Sequence, residues 1–194
     1  MNNLRLITMA MLMAMISCSD DEENEPQDDG TSTLESYSFT YNDTEYEVVL
    51  EKMSWKDAAA YAKEKGGYLA EINSDEEQRG IFSEVSNNAG ITLTRTTASD
   101  GGGASYVWIG GNDINEEGEW KWDGNDDGSG AQFWAGLADG SVVGGLYNNW
   151  GDEPDDFNDN QDGLGLALTD WPLGTAGQWN DLRDANRLYF LIEY

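Results

Sequence analysis

Two rhythms of apolar and polar residues divide the chain. Phe39-Thr-Tyr41 and Tyr46-Glu-Val-Val49 flank Asn42-Asp43, which predicts a β-hairpin. Ser54-Trp-Lys-Asp57 then reads as a capping-box variant, and Ala58, Ala59 and Ala62 follow at helical spacing until Gly66-Gly67 ends the helix. Tyr68 to Ile72 predicts a short strand. Ser74-Asp-Glu-Glu77 is a second capping box, opening a helix whose apolar face is Ile81, Phe82 and Val85. Beyond it the helical period disappears. Ala98 to Ser105 predicts a Gly-rich turn, and Tyr106 to Ile109 a strand. Glu119 to Trp122 alternates as a half-buried strand does, and Leu164 to Leu168 and Leu188 to Ile192 predict late strands. Asp123 to Leu146 reads as a long Gly- and Asp-rich loop anchored by Phe133-Trp134. Two early helices followed by short strands and long loops predict an α+β domain over residues 37–194, with no internal repeat.

The residues before this domain have a different pattern. Arg5 precedes an apolar run from Leu6 to Ile16, too short for the ~20 residues that span a bilayer. Ser17 then stands immediately before the chain's single cysteine, Cys18. Residues 1–17 resemble a bacterial lipoprotein signal, with Cys18 as the lipidated first residue of the mature chain. Residues 18–36, acidic and almost free of apolar side chains, predict a disordered tether. The expected location is therefore the bacterial outer membrane, lipid-anchored and facing the cell surface, with Cys18 as the only membrane attachment.

Charge narrows the partners. The 194 residues carry 38 acidic and 10 basic side chains, a net −28, which disfavours nucleic acid and anionic membranes and suits cations. There is no histidine, so the commonest general base, His-based triads and most zinc sites are excluded. A single cysteine permits no disulfide within the chain. Eight Trp and nine Tyr imply a folded core, and Trp108, Trp120, Trp150 and Trp179 are expected to fill it rather than to form a sugar-stacking platform.

The chemistry concentrates between Tyr147 and Asp181. Asn149-Trp150, Glu153-Pro154-Asp155-Asp156 and Trp179-Asn180-Asp181 gather short oxygen-bearing side chains around glycine and tryptophan, which suits an all-oxygen cage for a hard cation. A cis Glu153–Pro154 bond would turn both flanking side chains toward one metal. With Ser54–Phe82 and Trp108-Ile-Gly-Gly111 before them, these landmarks fall in the order of the C-type lectin-like family, which the chain resembles over residues 37–194. The resemblance implies a C-type lectin-like fold of two helices, short antiparallel strands and long calcium-binding loops. It implies a principal Ca²⁺ site formed by Glu153, Asp155, Gln161, Asn180 and Asp181, whose side chains also bind neighbouring sugar hydroxyls. It further implies an auxiliary Ca²⁺ site at Asp113, Glu117, Asp156 and Asp162. The family's usual cysteines are absent, Asp155 stands where an Asn is typical of mannose binders, and Gln161 stands where a Glu is usual. The expected function is calcium-dependent glycan binding without enzymatic activity. The alternative is a protein-binding adhesin of the same fold in which calcium only braces the loops.

Overall fold

Asn42 and Asp43 both take left-handed backbone, at φ 47° and 67°, the geometry that a two-residue hairpin turn needs. They turn strand β1 (Ser36–Tyr41) back into β2 (Thr44–Met53), with Phe39 opposite Tyr46. The computed structural model describes residues 34–194. The expected signal 1–17, Cys18 and the tether as far as residue 33 lie outside the described residues.

Both capping sequences start helices. Ser54 Oγ accepts the Asp57 N–H at 3.1 Å ahead of α1 (Trp55–Glu64), and Ser74 Oγ accepts the Glu77 N–H at 3.1 Å ahead of α2 (Asp75–Asn87). Glu77 answers by accepting the N–H of Asn73 at 2.6 Å, one residue before the cap. Helix α1 buries Trp55, Ala58, Ala59 and Ala62. Helix α2 buries Gln78, Ile81 and Val85, and Phe82 is only partly covered, contrary to the sequence expectation.

The remaining strands are β3 (Tyr68–Leu69), β4 (Tyr106–Asn112), β5 (Glu119–Trp122), β6 (Ala131–Ala135), β7 (Ser141–Val142), β8 (Gly163–Ala167), β9 (Trp179–Leu182) and β10 (Leu188–Glu193). They form one forked sheet. The C-terminal β10 lies between β2, antiparallel, and β4, parallel, with Phe190 beside Trp108. Strand β4 pairs with β8 at Tyr106–Trp108 and, past a register shift, at Asn112, and β8 carries β9; at Gly111–Asn112 β4 also pairs with β5, and the sheet continues through β6 to β7. Two details differ from the sequence expectation. The strand after α1 is two residues long, because Ala70 bonds irregularly to Leu191 and Gly110 instead of continuing the ladder. The segment Asp123–Leu146 holds β6 and β7, since Phe133 is buried and draws its neighbours onto β5.

Aromatic packing fixes the fork. Trp120 meets Trp150 edge-on at 4.9 Å, Trp122 meets Trp179 at 5.4 Å and stacks on Phe133 at 4.6 Å. Trp108, Trp120, Trp150 and Trp179 are all buried, as expected of core residues. Of the four indoles, Trp150 Nε1 is buried without a partner and two are bonded: Trp108 donates to the Met53 carbonyl and Trp179 to Gln78 Oε1, whose amide in turn donates to the Gly177 carbonyl. Helix α2 is thereby tied to the loop entering β9, and the loop from Trp150 to Asp162 is held between β9 and the end of β4.

Candidate metal centre

Strand β9 supplies the rigid side of the principal cluster. Asp181, fully buried opposite Leu164 of β8, accepts the backbone N–H groups of Asp155 at 3.0 Å and Asp156 at 2.7 Å through Oδ2. That fork pins the Glu153–Asp156 loop against the strand, and the Glu153–Pro154 peptide in it is cis. Carboxylate oxygens of Glu153, Asp155 and Asp181 all lie within 4.8 Å of one another; Glu153 and Asp181 are buried and Asp155 is exposed at the rim. Neighbouring Asn180 donates through Nδ2 to the Tyr106 hydroxyl at 2.8 Å, and that hydroxyl donates to the Gly101 carbonyl at 2.6 Å. Trp171 Nε1 donates to Glu153 Oε1 at 3.0 Å.

After these bonds, Glu153 Oε2, Asn180 Oδ1 and Asp181 Oδ1 are buried without a partner. A buried acceptor left alone costs about 1–3 kcal/mol, more if charged, so three together mark a place built for something electropositive. Burial raises the affinity of these acids for protons. Asp181 is pushed up to about 8 by burial, against the relief of the Asp156 N–H, with the charge of Glu153 adding to the rise. Glu153 is pushed up to about 7, again chiefly by burial. The two ion pairs among the described residues, Arg79–Asp75 and Lys121–Glu119, do not involve these acids, so no ion pair neutralises them. An acid-amide oxygen set with spare lone pairs and no internal cation fits a hard divalent ion.

Gln161, which the resemblance also assigns to this site, is buried beside it and bonded on several sides. Its Oε1 accepts the Phe157 N–H, its Nε2 donates to the carbonyls of Asp181 at 2.9 Å and Asp100 at 3.4 Å, and its own N–H goes to Asp156 Oδ1 at 3.1 Å. Its amide thus ties its own loop, at Phe157, to the Asp100 turn and to strand β9.

A second cluster forms where β4 ends. Asp113, Glu117 and Asp162 bring carboxylate oxygens within 4.8 Å of one another. Asp113 accepts the Gly118 N–H at 2.8 Å through Oδ2, its own N–H reaches the Asp162 carbonyl at 3.2 Å, and its Oδ1 is buried without a partner. Burial pushes Asp113 up to about 8. Asp156 stands close enough for its charge to act on Glu117 and Asp162, while its Oδ1 is taken by Gln161. The loop Asp155–Asp162 therefore links the two clusters.

The supporting residues escape a reading of the sequence. Trp171 and Tyr106 each orient a cluster side chain from a distant segment. The one hint is that Trp171-Pro172-Leu173 forms an apolar run in the turn between two strands.

Known proteins resemble this chain in sequence and fold. A family model described as "Lectin C-type domain" matches residues 51–193. Halomucin of Haloquadratum walsbyi is 30% identical over 154 residues, 77% of this chain but 1% of that protein. Hepatic lectin of Gallus gallus is 29% identical over 149 residues, 76% of this chain and 53% of that one. The chain thus spans about half or less of the length of these relatives. Among solved structures, the carbohydrate-recognition domain of the mouse scavenger receptor C-type lectin is 28% identical, with a TM-score of 0.55 over 81% of this chain and 94% of that one. Fold, motif order and the matched span agree, and the chain belongs to the C-type lectin domain family.

Proposed function

We propose that this protein binds carbohydrate in a calcium-dependent manner through Glu153, Asp155, Asn180 and Asp181. The observation that carries the reading is the set of three buried, unpartnered oxygens on Glu153, Asn180 and Asp181. Bound calcium would complete that set and leave coordination positions for two sugar hydroxyls. The side chains divide the work. Trp171 and Tyr106 fix the orientations of Glu153 and Asn180, so their free oxygens are placed before any ligand arrives. Asp155, at the exposed rim, accepts from an incoming hydroxyl. Three carboxylates accept hydrogen bonds and donate none, so the ligand must supply donors, as a vicinal diol does. The same reading places calcium at Asp113, Glu117 and Asp162, with Asp156 beside them, where it would hold the loop that carries Asp155. The family is generally one of non-enzymatic carbohydrate-binding proteins, and a relative in it is described as a carbohydrate-recognition domain.

A glycan array probed with calcium, with chelator, and with Asp155→Ala tests this. Binding that needs calcium and is lost in the variant is expected. Calcium-loaded protein that binds no glycan on the array would overturn the reading in favour of the adhesin alternative. We further propose attachment to the bacterial cell surface by a lipid on Cys18. Cys18→Ser is expected to leave the membrane fraction, and fractionation identical to the parent, without lipid label, would contradict the anchor.

A further inference from the structure

Asn180 and Asp181 stand on β9, which ends one residue later at Leu182. Carboxylates gathered without a cation repel one another, so the backbone that carries them has to be held from behind if their oxygens are to wait in place. The hold comes from a single turn in the connection between α2 and β4.

That turn, residues 98–104, closes on itself. The Ala98 N–H meets the Ala104 carbonyl at 3.0 Å, the Gly103 N–H meets the Ala98 carbonyl at 3.0 Å, and Gly102 and Gly103 take left-handed backbone at φ 67° and 78°. Asp100 Oδ2 accepts the N–H of Arg183, the first residue past β9, at 2.8 Å. Both oxygens of the Asp100 carboxylate also accept from Asn186 Nδ2, at 2.8 and 3.0 Å. The Asp100 carbonyl accepts from Gln161 Nε2 at 3.4 Å, and that same nitrogen donates to the Asp181 carbonyl at 2.9 Å. The carbonyl of the next residue, Gly101, accepts the Tyr106 hydroxyl that orients Asn180. Little room separates the turn from the strands: a Cβ on Gly101 would stand 2.3 Å from the Leu182 side chain and 2.9 Å from the Tyr106 ring. Asp100 and Gly101 thus reach Asp181 through Gln161 and Arg183, and Asn180 through Tyr106.

We infer that Asp100 is a positioning residue for the bound cation: it belongs to neither acidic cluster, and it clamps the end of β9 so that the free oxygens of Asn180 and Asp181 stay aimed at one point. The inference rests on the calcium-binding reading above and adds a residue that acts on the same site through others. A cage whose frame is loose must be drawn together by the ion, and the cost of doing so is taken from its affinity. Loss of such an outer support lowers metal affinity by about ten- to a hundred-fold.

Calcium titration by calorimetry tests this, the principal site being the one that Asp181→Asn removes. Asp100→Ala, shown to be folded by its melting transition in chelator, is expected to weaken that site about ten-fold or more. Asp100→Asn keeps an oxygen for the Arg183 N–H and is expected to stay within about three-fold of the parent, the worth of a neutral hydrogen bond. Terbium in place of calcium gives a second readout. Its luminescence lifetimes in light and heavy water count the waters on the ion, and Asp100→Ala should raise that count, because water fills the place of a ligand that has moved. Parent-like calcium affinity in folded Asp100→Ala would overturn the inference. So would Asp100→Asn as weak as Asp100→Ala, which would make charge rather than position the cause. Should Asp100→Ala fail to fold, Gly101→Ala, which has to move the turn off Leu182 and Tyr106, takes its place, and parent-like affinity there would overturn the inference equally. If the parent itself takes up no calcium, the calcium reading falls and this inference with it.

Discussion

Asp181 does three things from one buried position in β9. It holds the Asp155–Asp156 backbone with one oxygen, keeps the other free, and shares its neighbourhood with Glu153. Its chemistry sets a pH dependence. In the unfolded chain Asp and Glu titrate near ~4, whereas Asp181 and Asp113 are raised to about 8 and Glu153 to about 7. A raised acid contributes stability in full below its unfolded value and loses it as pH climbs through its folded value. The metal-free protein is therefore expected to melt higher at pH 5 than at pH 9. Calcium should reverse the order, because at low pH it must displace protons from the same oxygens. Melting in chelator and in calcium at both pH values checks this, and Asp181→Asn should shrink the chelator difference. Chelated protein as stable at pH 9 as at pH 5 would contradict it. At this scale the resemblance, not any local spacing, picked out Glu153, Asp155 and Asp181, and the structure brings their carboxylates together from two distant segments. The bonds that Gln161 makes to Phe157, Asp181 and Asp100 were not legible, since the partners of an amide leave no mark in one dimension.

Among the elements, the helices were the easier part. Ser54 and Ser74 satisfy N–H groups that the first turn leaves unpaired, and both signals are local. Ser74→Ala is expected to cost about 1 kcal/mol in denaturant unfolding. Calcium affinity should stay as in the parent, because Ser74 lies in neither cluster. A changed calcium affinity would mean that the start of α2 acts on the site through the Gln78–Trp179 bond. The strands were harder. Strands β6 and β7 lie in a segment whose Gly and Asp content reads as loop; β6 folds back on the preceding β5, with Trp134 opposite Trp120, and β7 pairs with β6 in turn. The Trp179-Asn180-Asp181 motif likewise sits within β9, where pairing with β8 fixes its direction. Tertiary pairing of this kind leaves little local trace.

The whole molecule combines a dry aromatic core with an acidic surface. The net charge of −28 leaves few cations inside the chain to neutralise either cluster, and the ion pairs of the described residues lie elsewhere. The fork of the sheet places β9, the Trp150–Asp162 loop and the end of β4 side by side, so the two clusters share one loop and should respond to calcium together. The overall class was readable from two helices followed by short strands; the fork was not, because β4 pairs with β8 near both its ends and also takes β5 at Gly111–Asn112. Calcium titration by calorimetry, on the parent and on Asp181→Asn, tests the central claim most directly. The parent should take up calcium and gain melting temperature, about 2.7 kcal/mol of stability at one hundred times the dissociation constant. The variant should lose the principal site while remaining folded in chelator. A parent protein, stripped of metal beforehand, that shows neither calcium uptake nor any rise in melting temperature would contradict the claim that these buried oxygens are arranged for a cation.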